Sequence, residues 1–467
     1  MCSMRGNLEV LLNPRSVALI GASANPGKLS NVVLANLKEG KFKTYPVNPR
    51  EREILGLRCY SSVLEIPGEV DIAVVSLPAE ASLGPVSDCV RKGIELVIVT
   101  ASGFRETGPE GGSLEEALVS AVRGSKTRLL GPNTMGLLVP RSGLDTFFIP
   151  RERSPRPGVG ETAILSQSGA VSVSSLEKVR AAGMGVSSCV GLGNKADVTE
   201  NDLLELLAED PQTRCIAMYL ESFSDGREFA RLAAKMTVAK PIVLLKAGRT
   251  RSGARAASSH TGALSSSSEV LVDGALTQAG VVRAYDEEEL IDIAKAFVLK
   301  GHLEGDRICV VASAGGYGVI ASDLIESENH GASLHMAELS DETKERLRRV
   351  VPGYSSVSNP VDLTAAVTDG MYDSVLEILQ EDRNVDGIMM SLELQPPNVT
   401  AELLEVARRR SMSGTKPIVI SVFAGESTDN LVKSLGEQRV LAYPTIWRAI
   451  RAMAALSRRG TRLRRLK

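Results

Sequence analysis

The sequence contains few of the residues that build metal sites and disulfide frameworks. Its six cysteines are far apart with no CxxC spacing, and only four histidines occur among 467 residues. Zinc sites and disulfide scaffolds depend on clusters of these residues, so the sequence predicts neither of them. We expect no metal bound by this chain, and cysteines that are small buried side chains in a reducing compartment.

Long apolar segments and a strong excess of charge are also missing. No run approaches the roughly 18 apolar residues of a membrane helix, and the first residues lack the apolar core of a signal peptide. The net charge of -2 creates no field that would attract nucleic acid or an anionic membrane. These absences predict a cytoplasmic protein that binds neither nucleic acid nor membrane.

The sequence does contain many short, continuously apolar runs that end in small or glycine-rich turns. Such runs are typical of parallel strands covered on both faces, and helical stretches such as 201–209 and 287–300 lie between them. The predicted fold class is α/β, with three doubly wound, Rossmann-like or flavodoxin-like parallel-sheet domains. The predicted strands lie at 16–20, 72–77, 96–99, 163–165, 215–220, 242–245, 308–311 and 417–420.

Two changes in composition indicate domain boundaries. Residues 151–158 are charged and proline-rich, and a second break lies at 300–306. We predict domains at 1–150, 158–300 and 305–467. Each opens with a strand, a small-residue turn and a helix.

The first turn, 21–28, favours an anion over a dinucleotide. Backbone N–H groups at the start of a helix attract negative charge. The turn departs from GxGxxG because Ser23 stands at the second glycine position. The second strand ends with Asn48 and Arg50, where a ribose-binding acid is expected in NAD sites. NAD binding is therefore disfavoured, while a plain turn without a ligand stays open at this point.

Other strand ends of the first domain are expected to line the same crevice. Carboxyl ends of parallel strands border the ligand site in such sheets. Small or polar turns follow the strands at 72–77 and 96–99, and a further one lies at 131–136. Several such turns at one sheet edge indicate a ligand.

His260 differs from the other histidines because it lies among small residues in 257–266, which we predict to be a loop. An imidazole is nucleophilic near neutral pH because its ordinary pKa is about 6.5. A lone histidine in a loop is more often structural, and no catalytic triad can be read from the spacing. Glu221, at the end of a predicted strand, is a candidate to orient the ring.

Taken together, these motifs resemble the α side of succinyl-CoA synthetase. They resemble more closely the α subunit of ADP-forming acyl-CoA (acetyl-CoA) synthetase, over about the whole chain. The segment Ser259-His260-Thr261-Gly262-Ala263 is similar to the phosphohistidine loop of that family, and Glu221 matches the carboxylate that orients the histidine there. In the third domain, 358–363 and 443–445 resemble features of the acyl-CoA synthetase branch.

The resemblance implies two groups of binding residues. Those expected to hold CoA are Gly21, Ala22, Ser23, Pro26, Gly27, Lys28, Val47, Asn48, Arg50, Ser76, Leu77, Pro78, Ala101, Ser102, Gly103 and Asn133. Those expected to hold the phosphoryl group are Ser166, Gln167, Ser168, Gly169 and Gly262.

The implied reaction is acyl-CoA + phosphate + ADP ⇌ acid + CoA + ATP, through an acyl phosphate and phosphorylated His260. The family's ATP-grasp domain has no match here, so the resemblance implies a separate β subunit, in an α2β2 assembly, that binds ADP or ATP with Mg²⁺. Val173 stands near the position of a tyrosine in the succinate branch, which favours a smaller or more apolar carboxylic acid. The alternatives are a non-catalytic CoA-binding or CoA-sensing protein and an NAD(P)-linked oxidoreductase.

Overall fold

The computed structural model describes residues 8–261, 269–327 and 334–466, which form three main sheets and a two-stranded hairpin. Contacts divide the chain into two compact units. One consists of Met1–Glu177 and Gly185–Glu287, and the other of Lys178–Met184 and Glu288–Lys467. The predicted α/β class, with parallel-dominated sheets in several domains, is confirmed.

The first unit begins with a five-stranded parallel sheet. Its strands are β1 (Ser16–Ile20), β2 (Lys43–Val47), β5 (Ile72–Val75), β6 (Leu96–Val99) and β7 (Arg128–Leu130), and the hairpin is β3 (Glu53–Ile54) with β4 (Leu57–Arg58). Its helices are α1 (Leu29–Lys38), α2 (Leu83–Lys92) and α3 (Pro109–Val122), with 3-10 turns at Leu8–Leu11, Val63–Glu65, Ala79–Ala81 and Arg105–Thr107. The order β2-β1-β5-β6-β7 reverses direction at β1, which creates the crevice typical of ligand sites.

The second sheet of this unit has seven strands. They are β8 (Leu137–Val139), β9 (Leu144–Asp145), β10 (Val159–Ser166), β11 (Val186–Gly191), β12 (Cys215–Leu220), β13 (Ile242–Lys246) and β14 (Val282–Ala284). Its helices are α4 (Gly169–Ala181), α5 (Glu200–Glu209), α6 (Gly226–Met236), α7 (Arg251–Thr261) and α8 (Glu269–Ala279). The order is β14-β13-β12-β10-β11-β8-β9, in which β8 and β9 run antiparallel at the edge.

The second unit contains the third sheet. Its elements are α9 (Glu287–Lys300), β15 (Arg307–Ala312), α10 (Gly315–Glu326), β16 (His335–Met336), α11 (Asp341–Arg348), β17 (Val361–Asp362), α12 (Asp369–Glu381), β18 (Gly387–Glu393), α13 (Glu402–Ser413), β19 (Ile418–Phe423), α14 (Thr428–Glu437), β20 (Ala442–Tyr443) and α15 (Ile446–Leu466). The order is β16-β15-β18-β19-β20, with β17 also paired to β15. Every pairing of these strands is parallel.

Three elements, β8, β9 and most of α9, do not follow the composition breaks in the sequence. Strands β8 and β9 precede residue 150 but extend the second sheet. Most of α9 belongs with the third sheet because the Asp292 carboxylate accepts two hydrogen bonds from Arg448, at 2.7 and 2.8 Å. The buried Lys295 ammonium also donates to the Ala442 carbonyl at 3.0 Å. Side-chain pairing thus places α9, which lies before the break at 300–306, with the third sheet.

The structure also bears on the membrane question. Across residues 8–261, 269–327 and 334–466, no helix combines the length and apolar character that crossing a bilayer requires.

Candidate active site

The turn after β1 has its shape because a second strand end lies directly against it. Gly21 has φ +85°, and a Cβ at this position would lie 2.5 Å from the Ser76 carbonyl oxygen. Only glycine fits such an approach without strain. The Asn48 side-chain amide, at the end of β2, donates to the Ala22 carbonyl at 2.7 Å. Three strand ends predicted to hold CoA therefore meet at one place.

The outer part of this turn is exposed and carries cations. Asn25 Oδ1 accepts from the Gly27 N–H at 2.8 Å, which closes the loop before α1. Lys28 precedes α1, and Arg50 follows β2 with its N–H donated to Asn48 Oδ1 at 2.9 Å. Both cationic side chains are exposed. This arrangement suits the phosphates of a ligand that enters from solvent.

One cavity of about 490 Å³ joins the predicted CoA residues at 76–78, 101–102 and 133 to the predicted phosphate turn, whereas the predicted residues at 21–28 and 47–50 do not line it. The predicted residues that line it are Ser76, Leu77, Pro78, Ala101, Ser102, Asn133, Gln167 and Gly169. Leu29, Thr100, Thr134, Met135 and Phe148 line it as well, and sequence reasoning did not select them. Met135 could have been predicted from its position in the 131–136 turn. The sequence around Phe148 contains no motif that indicates a ligand site.

Not every predicted CoA residue offers a free backbone group to this cavity. The Gly103 N–H already donates to Glu106 Oε1 at 2.6 Å, and its φ of +105° is a backbone conformation that favours glycine. The Asn133 N–H donates to the Ala101 carbonyl at 2.8 Å, and Asn133 also has a positive φ of 57°. A hydrogen bond therefore connects the 101–103 turn to the 131–136 turn.

The phosphate turn connects β10 to α4. Ser166 Oγ donates to the Ser168 carbonyl at 2.7 Å, and Ser172 Oγ donates to the same oxygen at 3.0 Å. The first N–H groups of a helix have no partner within the helix. Gly169, the first residue of the 13-residue α4, lines the cavity, so this helix start borders the space shared with the CoA turns.

Glu221 lies beside that turn because Gln167 fixes the end of β12. Gln167 Oε1 accepts from the N–H groups of Glu221 and Ser222, at 2.9 and 3.2 Å. Tyr219, two residues earlier on the same strand face, donates its hydroxyl to Glu221 Oε1 at 3.3 Å. The Glu221 side chain is nearly buried, with 5% exposure. Its neighbour across the sheet, Lys246, donates to the Glu221 carbonyl at 2.6 Å.

The two neighbours of Glu221 were not found from the sequence, and both have shifted pKa values. Burial, and then the charge of Glu221, raise the pKa of Tyr219 to about 12, so its hydroxyl stays protonated and donates. Burial lowers the pKa of Lys246. The Tyr-x-Glu spacing at a strand end was the available signal, since residues two apart share a strand face.

The structure corrects the prediction of a loop around His260. The backbone of His260 lies in the last turn of α7, which spans Arg251–Thr261. Alanine and arginine residues make up 254–257, and both are strong helix formers. Gly262, a predicted phosphate residue, lies outside the described residues. Helix α7 contacts the 3-10 turn Arg105–Thr107, which is separated from the 101–103 turn by one residue, Phe104.

In residues 8–261, 269–327 and 334–466, no group of three or more His, Cys, Asp or Glu side chains is arranged to hold a metal ion. Five cysteines there, Cys59, Cys89, Cys189, Cys215 and Cys309, are buried free thiols.

Family models match most of the chain. A CoA binding domain matches residues 15–140, a succinyl-CoA ligase like flavodoxin domain matches 159–297, and a ligase-CoA domain matches 308–462. The CoA binding domain match includes the turns at 76–78, 100–102 and 133–135 that line the cavity.

Relatives of known name extend these matches. The α subunit of ADP-forming acetate–CoA ligase I from Pyrococcus furiosus is 37% identical over 96% of this chain and 97% of its own. ADP-forming acetate–CoA ligase I from Archaeoglobus fulgidus is 37% identical over 97% of this chain, which spans only 63% of that longer protein. A solved acetyl-coenzyme A synthetase 1 from Ca. Korarchaeum cryptofilum, in complex with phosphate and ADP, superposes with a TM-score of 0.90 at 33% identity, over 98% of this chain and 99% of its own.

Proposed function

We propose, from the premise that this chain belongs to the family of ADP-forming acetate–CoA ligase α subunits, that it is the α subunit of an ADP-forming acyl-CoA synthetase, an acid–thiol ligase. It interconverts acyl-CoA, phosphate and ADP with the free acid, CoA and ATP. The observation that carries this proposal is the single cavity bordered by both the strand-end turns and the start of α4. A thioester and a phosphate can meet only where their sites share one space.

The first step belongs to that cavity. Phosphate attacks the thioester carbonyl carbon, the carbon–sulfur bond breaks, and CoA leaves as a thiolate that takes up a proton. The N-terminus of α4, at Gly169, stabilises the phosphate charge, and Ser166 and Ser168 hold the turn in place. We expect the exposed Lys28 and Arg50 to bind the CoA phosphates at the entrance of the β1 crevice.

The second step moves the phosphoryl group to His260. An imidazole nitrogen attacks phosphorus, the bond from phosphorus to the acyl oxygen breaks, and the acid leaves as a carboxylate. Glu221 accepts the N–H of the other ring nitrogen and so stabilises the positive charge that forms on the ring. Its position beside Gln167 supports this role, because the same turn then borders both the phosphate and the orienting group.

The last step requires a partner. The phosphohistidine transfers its phosphoryl group to ADP, and a β subunit with an ATP-grasp domain, in an α2β2 assembly in the cytoplasm, supplies the nucleotide and Mg²⁺. Two relatives support a separate subunit: one is itself named a subunit and matches this chain in length. The other is a longer single chain of which this chain spans 63%. The proposed domains are 1–150, which binds CoA, 158–300, which carries the phosphohistidine, and 305–467, to which no step of the reaction is assigned.

The decisive experiment is the intact mass of the chain after incubation with acetyl-CoA, phosphate and Mg²⁺. We expect one acid-labile phosphoryl group on the wild type and on His335→Ala, and none on His260→Ala. His335 is a suitable control because it is exposed on β16, in the other compact unit. A chain that binds CoA but stays unlabelled, even with its co-expressed partner, would instead be a CoA-binding protein without catalysis.

A further inference from the structure

The loop after β11, residues 192–195, contacts the turns that border the cavity, although sequence reasoning selected none of its residues. Its main contact is made by Asn194. The amide Nδ2 of this residue donates to Glu106 Oε2 at 2.6 Å and to Glu115 Oε2 at 2.8 Å. One side-chain amide therefore holds two carboxylates together.

Glu106 connects Asn194 to the 101–103 turn in the cavity wall. Its other oxygen, Oε1, accepts from the N–H groups of Gly103 and Phe104, at 2.6 and 3.1 Å. Burial alone would raise the pKa of Glu106, but the hydrogen bonds from Asn194 and from the Gly103 N–H lower it, so the carboxylate is ionised at neutral pH. The 101–103 turn is thus fixed from behind by a charged group that Asn194 positions.

Glu115 shows why an amide is needed at this point. Its side chain, in α3, is completely buried. Arg105 lies 2.8 Å from Glu115 Oε1 as an ion pair, without the geometry of a hydrogen bond. A buried carboxylate that loses a hydrogen bond is strongly destabilised. Asn194 supplies the shorter of two hydrogen bonds to the other oxygen, since the Arg105 N–H is 3.4 Å from it.

The same loop fixes a second part of the wall. The Asn194 N–H donates to the Pro132 carbonyl at 2.9 Å, and Asn133 Nδ2 donates to Asn194 Oδ1 at 3.3 Å. Gly193, at φ +58°, lies so close that a Cβ there would be 2.2 Å from the Pro132 oxygen. Both the 101–103 turn and Asn133 are therefore held by one residue, Asn194.

The next residue continues the connection to the phosphate side. Lys195 Nζ donates to the Ser222 carbonyl at 2.7 Å and to Glu200 Oε2 at 2.9 Å. Ser222 follows Glu221, and its N–H donates to Gln167. Neighbouring residues of one loop thus contact the backbone at both sides of the cavity.

We infer that Asn194 is a positioning residue for CoA: through Glu106 and Asn133 it holds the two strand-end turns in the shape that binds the thiol ligand. This inference rests on the proposed function. Asn194 is placed behind the turns and not among the residues that line the cavity. Its effect is therefore on CoA affinity and not on the chemical step.

The test reverses the direction of the hydrogen bond between residues 194 and 106. Asn194→Asp places a third carboxylate against Glu106 and Glu115, and we expect the Kd for CoA, measured by calorimetry on the full chain, to rise at least about ten-fold. Adding Glu106→Gln to the same chain restores a donor opposite the introduced carboxylate, so the contact re-forms with its direction reversed. We expect this double variant to recover part of the lost affinity, as coupled neighbours do.

Arg128→Met is the matched control. Arg128 also bonds to the segment after β11, through Asp197 at 3.0 Å, but it is hydrogen-bonded to neither cavity turn. We expect it to lower thermal stability and leave the Kd for CoA unchanged. Asn194→Ala, which adds no charge, gives a smaller loss of affinity and serves if the aspartate variant does not fold.

The results that would contradict the positioning role differ from the one that would contradict the proposed function. Wild-type affinity in Asn194→Asp, equal weakening in Arg128→Met, or no recovery in the double variant each overturns the positioning role. With the partner subunit present, the KM for CoA should rise while kcat at saturating CoA is retained, and a fall in kcat alone also contradicts it. A wild-type chain that binds no CoA removes the proposed function itself.

Discussion

Gln167 and Glu221 are hydrogen-bonded to each other but serve different purposes. The Gln167 carbonyl oxygen replaces a backbone acceptor for two N–H groups at the end of β12 and therefore fixes the strand end. The Glu221 carboxylate is nearly buried, and the Tyr219 hydroxyl directs one of its oxygens. The sequence alone suggested Glu221, through its place at a strand end, but nothing in it indicated that Gln167, expected to bind phosphate, would also fix that strand end.

Glu221→Gln tests the orienting role at the scale of one residue. The substitution keeps the shape but removes the charge that stabilises a positively charged ring. We expect the rate of His260 phosphorylation, from quenched-flow mass measurements, to fall about 100-fold, the lower end of an acid–base contribution, with the Kd for CoA unchanged. Glu161→Gln, near the opposite end of β10, is the control and should label at the wild-type rate. Unchanged labelling kinetics in Glu221→Gln would refute the role.

Strands were predicted well from the sequence, and the elements around the site less well. The runs at 16–20, 96–99 and 215–220 coincide with β1, β6 and β12 because continuous burial on both faces leaves a direct composition signal. Strands β8 and β9 have three and two residues, which are too few to show a hydrophobic period. The pairing of β8 with β11 is a long-range contact that local sequence does not indicate. The helix at His260 was missed because small residues were interpreted as a loop, although alanine favours a helix.

Gly21→Ala tests the first turn as an element. The left-handed φ costs about 1–2 kcal/mol for a residue with a Cβ, and the approach to the Ser76 carbonyl adds a clash. We expect a lower free energy of unfolding by denaturant titration, and weaker CoA binding because the strand ends move apart. Gly56→Ala is the matched control, since it has φ +78° with no atom within 4 Å of the added Cβ. Equal losses in both variants would show that the close approach is unimportant.

At the scale of the whole molecule, the candidate site is a product of topology. The residues predicted for CoA lie on three or more strand ends, and the phosphate turn belongs to a different sheet of the same compact unit. The meeting of three of these strand ends, those of β5, β6 and β7, with the phosphate turn in one cavity could be expected from the family resemblance, but not from spacing. Asn194, Phe148 and Tyr219 contribute through long-range contacts, which a single sequence does not reveal.

The proposal that a partner subunit carries the nucleotide site leads to a prediction for the complete reaction. This chain corresponds to 97% of a relative named as a subunit and to 63% of a longer single-chain relative. If the nucleotide site lies in a partner, the phosphorylated chain alone should retain its phosphoryl group when mixed with ADP and Mg²⁺. Addition of the β subunit should then release the label as ATP in a single turnover, measured by chromatography of the nucleotides. ATP formed by the chain alone would place the nucleotide site within these 467 residues and contradict the two-subunit assignment.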